Sequence, residues 1–250
     1  MNLILLEPGE IGARGEVRLS GPRAAHLINV LGVVPGQTVR IGVLNGPRGV
    51  GTVLSVIEGS VLLKCVLEAI PQAHPRIDLL LAVPRPKVLR RLWAQFAAIG
   101  VGRVLLTNAE RVERAYFDTH VVTPDCYRPL LIEGLQQACD TILPEVSVHR
   151  RFKVLIEDDL DRITGKTTRL VADPSGAASA GAVLRARLGH ERDARVLLAI
   201  GPEGGWNAFE LELLATHGFH CIGMGPRTLR ADTACVALLA LVHEALATTG

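Results

Sequence analysis

The stretch that decides the fold is VLLAIGPEGG at 196–205, in which an apolar run of strand type passes directly into a glycine-rich loop. A second apolar run, FHCIGM at 219–224, passes in the same way into GPRTLRADTA at 225–234. Parallel strands deliver their following loops to one edge of a sheet, and open α/β folds bind ligands at that carboxyl edge. The two runs therefore predict two strands of one sheet whose loops share a functional edge.

The segment between the two runs predicts a helix. Asn207 followed by Glu210 is a helix start of the capping-box type, although Asn replaces the more usual Ser or Thr. Gly218 offers a left-handed stop, and we interpret His217 before it as a C-terminal cap favoured by the helix dipole. Strand, helix and strand then form a right-handed parallel crossover.

The first loop has two interpretations. Gly201, Gly204 and Gly205 let backbone amides approach a ligand closely because no side chain intervenes, and Glu203 is the strong acceptor among them. The alternative is an ordinary glycine-rich turn before a helix. Because a second special loop is expected at the same edge, the pair of loops favours a ligand site.

The two motifs together carry a resemblance. GPEGG at 201–205 with MGPRTLRADTA at 224–234 resembles the signature of the small-subunit (16S) rRNA uracil-N3 methyltransferases, a branch of the knotted SPOUT class. The resemblance implies S-adenosylmethionine as the cofactor and N3 of a uridine in ribosomal RNA as the methyl acceptor. It also implies a C-terminal trefoil knot, a homodimer packed on the knot, and a small PUA-like β-barrel that helps to bind RNA.

The same resemblance implies roles for individual residues. Arg230 would stabilise the negative charge that grows on the uracil, because its guanidinium is permanently charged and planar. Asp232 stands where the family usually has Glu; it would orient Arg230 or accept a proton, or would merely cap the last helix together with Thr233. The expected cofactor-binding residues are Ile200, Gly201, Pro202, Glu203, Gly204, Gly205, Gly223, Met224, Gly225, Leu229 and Thr233. The expected RNA-binding residues are Arg227, Arg85, Lys87, Arg90 and His26.

Four positions depart from the family pattern. Gln95 and Ala98 stand where a helix of the family has Lys and Glu, and Gly32 and Asp140 each stand where the family has arginine. Several of these lost groups are ones expected to touch RNA. Two alternatives therefore stay open: a methyltransferase of the same class that acts on a different RNA nucleotide, and a non-catalytic RNA-binding protein with the same fold.

The pattern along the chain predicts an α/β protein of two domains, 1–72 and 73–250, joined near Pro71–Pro75. The first domain has short strand signals with hairpin tips at Asn45-Gly46 and Glu58-Gly59-Ser60. Its strands are expected near 3–6, 15–19, 38–44, 50–57 and 61–68. In the second domain strands alternate with helices, which indicates a mostly parallel sheet covered on both faces. Strands are expected at 77–83, 103–107, 145–149, 168–172, 195–200 and 219–224, and helices at 86–98, 124–140, 151–162, 178–188, 207–217 and 232–247.

Composition agrees with this organisation. The chain is 48% apolar and 21% charged, as globular proteins with a hydrophobic core are. No apolar run free of charge reaches membrane-spanning length, and the start MNLILLEPGE lacks a basic region, so a cytoplasmic protein is expected. The five cysteines have neither CxxC nor zinc spacing, which favours reduced thiols and no metal.

Charge and the last helix bear on partners. The net charge is only +2, but seven Lys or Arg lie between 85 and 114, where they would hold phosphates or form solvated helix faces. The last helix, 232–247, is apolar around most of its circumference, as buried helices are. A second subunit would supply part of that burial.

Overall fold

A computed structural model describes residues 2–69, 72–188, 194–225 and 227–248. The described chain divides into two compact units. The first unit contains residues 2–69 and 72–74 together with Leu131–Leu143, a segment that the sequence places in the second domain. The second unit contains the other described residues from Pro75 onward. Part of the expected linker, including Pro71, lies outside the described residues.

The first unit is built on one five-stranded sheet. Its strands are β1 (Ile4–Leu6), β2 (Glu16–Leu19), β3 (Thr38–Val43), β4 (Arg48–Ile57) and β5 (Ser60–Leu67), in the order β1-β3-β4-β5-β2. One helix, α1 (Gly21–Asn29), lies between β2 and β3 in the chain. Both predicted hairpin tips are confirmed, since Asn45, Glu58 and Gly59 take the positive φ angles that tight hairpin loops require.

The core of the first unit forms where alternate strand residues meet α1. Apolar side chains from all five strands are buried there together with Leu27 of the helix. The segment from 139 to 143 belongs to the same unit because it bonds to the β3–β4 hairpin: the Arg48 Nη1 donates to the Cys139 carbonyl at 3.1 Å, and the Thr141 hydroxyl donates to the Gly46 carbonyl at 2.6 Å.

The second unit is an α/β layer structure around a six-stranded sheet. Its strands are β6 (Ile77–Ala82), β7 (Val101–Thr107), β8 (Glu145–His149), β9 (Thr168–Ala172), β10 (Val196–Ile200) and β11 (Phe219–Ile222). Their order is β11-β9-β10-β6-β7-β8, and each of these pairings is parallel. Every residue of β6 and β10 is buried, as expected for central strands covered on both faces. The predicted parallel sheet is confirmed.

The helices of this unit are α2 (Pro86–Ile99), α3 (Pro124–Ala138), α4 (Phe152–Val154), α5 (Leu160–Thr164), α6 (Ala180–Leu188), α7 (Ala208–Thr216) and α8 (Ala231–Thr248). Short 3₁₀ turns occupy Arg114–Asp118 and His120–Val122, and from Leu131 onward α3 belongs to the first unit. In the part of the chain that the structure describes, no helix has both the length and the apolar character needed to cross a membrane.

The segment predicted as a helix at 151–162 is helical over 152–164, but it is not a regular α-helix throughout. A π turn at Leu155–Asp159 separates α4 from α5. Leu155 and Leu160 are five residues apart and almost fully buried, at 1% and 0% exposure. A π turn brings residues at that spacing onto one face, whereas an α-helix would turn them apart.

The amino edge of the sheet carries a buried ion cluster. Asp78 of β6 is fully buried, and Nη2 of Arg195 lies 2.7 and 2.9 Å from its two carboxylate oxygens. Arg103 of β7 lies 3.7 Å from the same carboxylate and also pairs with the exposed Glu145 at 3.1 Å. Arg103, one of the seven Lys or Arg between 85 and 114, therefore links β6, β7 and β8 at the edge opposite the predicted ligand loops.

Candidate active site

Three loops meet at the carboxyl edge of the sheet. Both β10 and β11 pair with β9, so the loop 201–205 and the loop after β11 lie on either side of the loop 173–179. The two predicted loops are therefore delivered to one edge, one strand apart. The third loop was missed, although Asp173-Pro174-Ser175-Gly176 directly follows an apolar strand and the same carboxyl-edge argument applies to it.

The three loops enclose a cavity of about 510 Å³. Ten of the eleven expected cofactor-binding residues line it, namely Ile200, Gly201, Pro202, Glu203, Gly204, Gly205, Gly223, Met224, Gly225 and Leu229. Thr233 does not line it, and Pro226 of the second motif lies outside the described residues. Asp173, Arg111, Arg227 and Leu238 complete the wall with acidic, basic and apolar groups.

The GPEGG loop is held by side chains from other segments. The Arg111 guanidinium donates to the Gly204 carbonyl, and the Arg85 backbone N–H donates to Glu203 Oε1 at 3.1 Å. Glu203 was expected to face the cofactor; its carboxylate lines the cavity but also anchors the loop to the start of α2. Arg111 was missed as a site residue, because its contact is made across 93 residues of sequence.

The helix after the loop begins as predicted. Asn207 and Glu210 form a complete capping box, with both bonds at 2.8 Å. The buried Glu210 also accepts the Glu110 N–H at 2.7 Å, so the same carboxylate fixes the segment that carries Arg111. His217 caps the other end of α7, where its Nδ1 lies 2.9 Å from the Leu213 carbonyl oxygen.

Gly201 packs closely against a side chain of the protein, a role that the sequence did not suggest. A Cβ atom at this position would lie 3.2–3.3 Å from the indole of Trp206, which is 4% exposed and packs against Phe152 with ring centroids 5.4 Å apart. The glycine therefore accommodates a side chain of the protein itself. The Trp206–Phe152 pair supports the loop from the side of α4.

Two glycines allow the second and third loops to touch. A Cβ at Gly223 would lie 2.1 Å from the Gly176 carbonyl oxygen, and a Cβ at Gly176 would lie 2.3 Å from the Ile222 carbonyl carbon. The Gly223 N–H donates to the Ala178 carbonyl at 2.9 Å. β11 ends at Ile222, directly before this contact and earlier than the predicted 224, and α6 begins at Ala180, later than the predicted 178.

The predicted catalytic pair lies beside the cavity. Arg230 and Asp232 do not line it, but their neighbours Leu229, Ala231 and Ala234 do. Nε of Arg230 lies 3.6 Å from Asp232 Oδ1.

The helix α8 begins one residue earlier than predicted, so Asp232 lies inside its first turn and not at the cap position. Its Oδ1 still accepts the Thr233 N–H at 3.0 Å, and a carboxylate there is favoured by the helix dipole. Within α8, burial raises the pKa of the Cys235 thiol to about 12, and the nearby Asp232 and Glu203 carboxylates add to the effect. That thiol is neutral at physiological pH and unsuited to act as a nucleophile.

The expected RNA-binding residues fall into two groups. Arg85, Lys87, Arg90 and Arg227 are exposed residues of the second unit, and Arg227 also lines the cavity. His26 belongs to the first unit, where it is half-buried in α1 and its Nε2 has no partner among the described residues. Across the described ranges, no three or more His, Cys, Asp or Glu side chains are grouped in a way that could hold a metal ion.

Comparison with known proteins agrees with this geometry. The model of the RNA methyltransferase domain family matches residues 71–243. Ribosomal RNA small subunit methyltransferase E of Treponema pallidum is 30% identical over 255 residues, which cover 97% of this chain and 90% of that protein. A second relative, methyltransferase E 1 of Borreliella burgdorferi, is 22% identical over 95% of each chain.

Solved structures have the same fold. The ribosomal RNA small subunit methyltransferase E of Neisseria gonorrhoeae, solved bound to S-adenosyl methionine, superposes with a TM-score of 0.76 at 19% identity, covering 98% of this chain and 97% of that one. A putative methyltransferase of Legionella pneumophila, solved with the same cofactor, superposes with a TM-score of 0.75 at 20% identity over 98% and 97% of the two chains. Its relatives include the ribosomal RNA small subunit methyltransferases E, in agreement with the resemblance that the two loop motifs carry. The chain therefore belongs to the RNA methyltransferase family.

Proposed function

We propose that this protein transfers the methyl group of S-adenosylmethionine to the N3 atom of a uridine in small-subunit ribosomal RNA. The observation that carries the proposal is the cavity of about 510 Å³ bounded by the two signature loops. A volume of that order suits a nucleoside-sized ligand. The backbone of the glycine-rich loops, the acidic residues Asp173 and Glu203 and the apolar Leu238 line it and offer polar and apolar contacts to such a ligand.

The site supports a transfer that depends on position and electrostatics. The N3 of uracil becomes nucleophilic when its proton passes to solvent water and negative charge spreads to the carbonyl oxygens; transfer of the methyl group to N3 then breaks its bond to sulfur and leaves S-adenosylhomocysteine. Arg230 lies next to the cavity with its side chain 73% exposed, so its guanidinium is available to an incoming base. A guanidinium that the fold already holds beside the base stabilises the developing charge better than mobile water does, because it need not reorient during the reaction. Asp232, already engaged by neighbouring donors, orients Arg230 in this proposal.

The surroundings of the cavity suit a nucleic acid. Arg85 and Arg227 are exposed cations near its loops, and Lys87 and Arg90 continue the positive charge along α2. Neutralising phosphates with such groups supplies much of the affinity of proteins for RNA. The target uridine would have to leave its stack, or be unpaired, to enter the cavity.

We extend the proposal to the rest of the chain through the family resemblance. The first unit, expected at 1–72, acts as a PUA-like barrel that helps to bind RNA, with His26 in contact. The second, expected at 73–250, has the SPOUT trefoil knot, and two copies form a cytoplasmic homodimer. In keeping with a packing role, α8 leaves Leu241 45% exposed within one chain.

A second candidate is the same chemistry on another RNA nucleotide. Gly32, which stands where the family has arginine, has a φ angle of +59° that an arginine would adopt only with strain. Asp140 turns its carboxylate to the backbone N–H of Thr141 at 2.6 Å. Neither position offers the cation that the family pattern has there.

One experiment separates these functions. Ribosomal RNA from cells with and without the intact gene is digested and analysed by mass spectrometry for 3-methyluridine, while calorimetry measures S-adenosylmethionine binding to the purified protein. We expect binding together with one modification that disappears in the deleted strain. Loss of a different methylated nucleotide would support the second candidate, and failure to bind the cofactor would favour a non-catalytic RNA-binding protein.

The close backbone contact between the loop after β11 and the loop 173–179 gives a further prediction. Gly223→Ala would place a methyl group against the Gly176 carbonyl and force the two backbones apart. Overpacking of this kind costs about 1–3 kcal/mol. We expect S-adenosylmethionine affinity, measured by calorimetry, to fall about tenfold. Gly12→Ala is the matched control, since a Cβ there meets its nearest atom at an ordinary 3.5 Å. Unchanged affinity in Gly223→Ala would show that the loops do not form the cofactor site.

A further inference from the structure

The carboxylate of Asp232 lies between two arginines. From α2, Nη2 of Arg91 donates to Oδ2 at 2.7 Å, and from the loop before α8, Nε of Arg230 lies 3.6 Å from Oδ1. The Asp232 side chain is 22% exposed, whereas those of Arg91 and Arg230 are 58% and 73% exposed. A half-shielded anion is thus shared by two solvent-facing cations.

The two contacts are unequal. A separation of 2.7 Å is the length of a charge-assisted hydrogen bond, whereas 3.6 Å is too long for a hydrogen bond. Oδ1 already accepts the Thr233 N–H at 3.0 Å. Within the ranges that the structure covers, Arg230 makes no side-chain hydrogen bond. Arg91 therefore holds the carboxylate, and the guanidinium of Arg230 keeps its donors available.

We propose that Arg91 is a positioning residue for methyl transfer, acting through Asp232 on Arg230. Arginine and carboxylate groups readily close into bidentate pairs. Because Arg91 occupies Oδ2 and the Thr233 N–H occupies Oδ1, Asp232 orients Arg230 without forming a bidentate pair with it. Without Arg91, the carboxylate is free to turn and take up the donors that the uracil oxygens need. This inference rests on the proposed function, since it assigns Arg230 to the acceptor base.

A double-mutant cycle tests the link. Arg91→Gln, Asp232→Asn and the double variant are compared with the unaltered protein for kcat and KM of methyl transfer to ribosomal RNA, for cofactor affinity and for Tm. We expect Arg91→Gln to lower kcat about tenfold, in the range of couplings between contacting residues. Cofactor affinity and Tm should change little, because an exposed ion pair adds little stability. In the Asp232→Asn background, the same change should alter kcat less than about twofold.

Controls separate this role from others. Arg162→Gln breaks an exposed pair of the same 2.7 Å length, with Asp159, and should leave all four quantities unchanged. Arg91→Lys should recover part of kcat, because lysine still reaches the carboxylate with one donor. A similar loss of kcat in both backgrounds would overturn the proposal, as would a rise in KM alone, which indicates direct RNA binding.

The outcome also distinguishes this inference from the proposed function. Absence of methyl transfer by the unaltered protein would reject the proposed function and this inference with it. Normal transfer by the unaltered protein, with no effect of Arg91→Gln on kcat, would reject only the role of Arg91.

Discussion

Replacing Arg230 with alanine is expected to lower the rate of methyl transfer by about 10²–10³-fold, with cofactor affinity changed by less than about tenfold. The difference follows from where the side chain lies. Arg230 is next to the cavity without lining it, and its only ion-pair partner in the described chain is Asp232. Alanine would remove charge stabilisation from the transition state while the loops around the cofactor keep their backbone contacts.

Single-turnover kinetics with ribosomal RNA and calorimetry with S-adenosylmethionine measure the two effects separately. Arg162→Ala is a matched control, because its side chain is also 73% exposed and also paired with an aspartate. That control should transfer methyl groups at the normal rate. Equal turnover by Arg230→Ala would exclude the electrostatic role, and loss of cofactor binding would mean that Arg230 shapes the cavity instead.

Asp78→Ala is expected to destabilise the second unit by about 3 kcal/mol. The carboxylate is fully buried and is held by Arg195 and Arg103, so its removal leaves two partly buried guanidinium groups without their shared anion. Breaking such a pair costs about 3–5 kcal/mol, and we expect the lower end because both arginines remain partly exposed. The effect on stability should be the largest of the substitutions considered.

Urea unfolding monitored by tryptophan fluorescence measures the stability of the second unit, because both tryptophans, Trp93 and Trp206, belong to it. Glu145→Ala is the matched control. It removes the second carboxylate that pairs with Arg103, but that carboxylate is 77% exposed, so the change should be below about 1 kcal/mol. Similar losses in the two variants would show that burial of Asp78 does not matter.

Local patterns predicted much of the fold because they depend on nearby residues. The capping box needs only Asn207 and Glu210, which are three residues apart. The hairpin tip at Glu58-Gly59 needs only two residues that accept positive φ. The continuous apolar run of β10, VLLAI, indicated a buried parallel strand for the same reason. The family resemblance then indicated the kind of ligand, which the spacing of residues along the chain does not reveal.

The predicted elements differ in detail from the structure where tertiary packing modifies the local pattern. The sequence from 151 to 162 has an ordinary helical composition, yet a π turn interrupts it to bury Leu155 and Leu160 together. The strand predicted to reach 224 stops at Ile222, and the next residue, Gly223, bonds to Ala178 of the third loop. No local signal distinguishes these cases from a regular helix or strand.

By itself, the sequence determined the two signature loops, the strands that deliver them to one edge and the helix start between them. Only the tertiary structure decided which distant side chains complete the site. Arg111 reaches Gly204 across 93 residues and Arg91 reaches Asp232 across 141. The physical reason is strand order: β6, which leads into α2 with Arg91, lies between β10 and β7, and β7 leads towards Arg111. The third loop likewise follows from β9 lying between β10 and β11. Residues so far apart in the chain share no periodicity, and only the folded sheet brings them together.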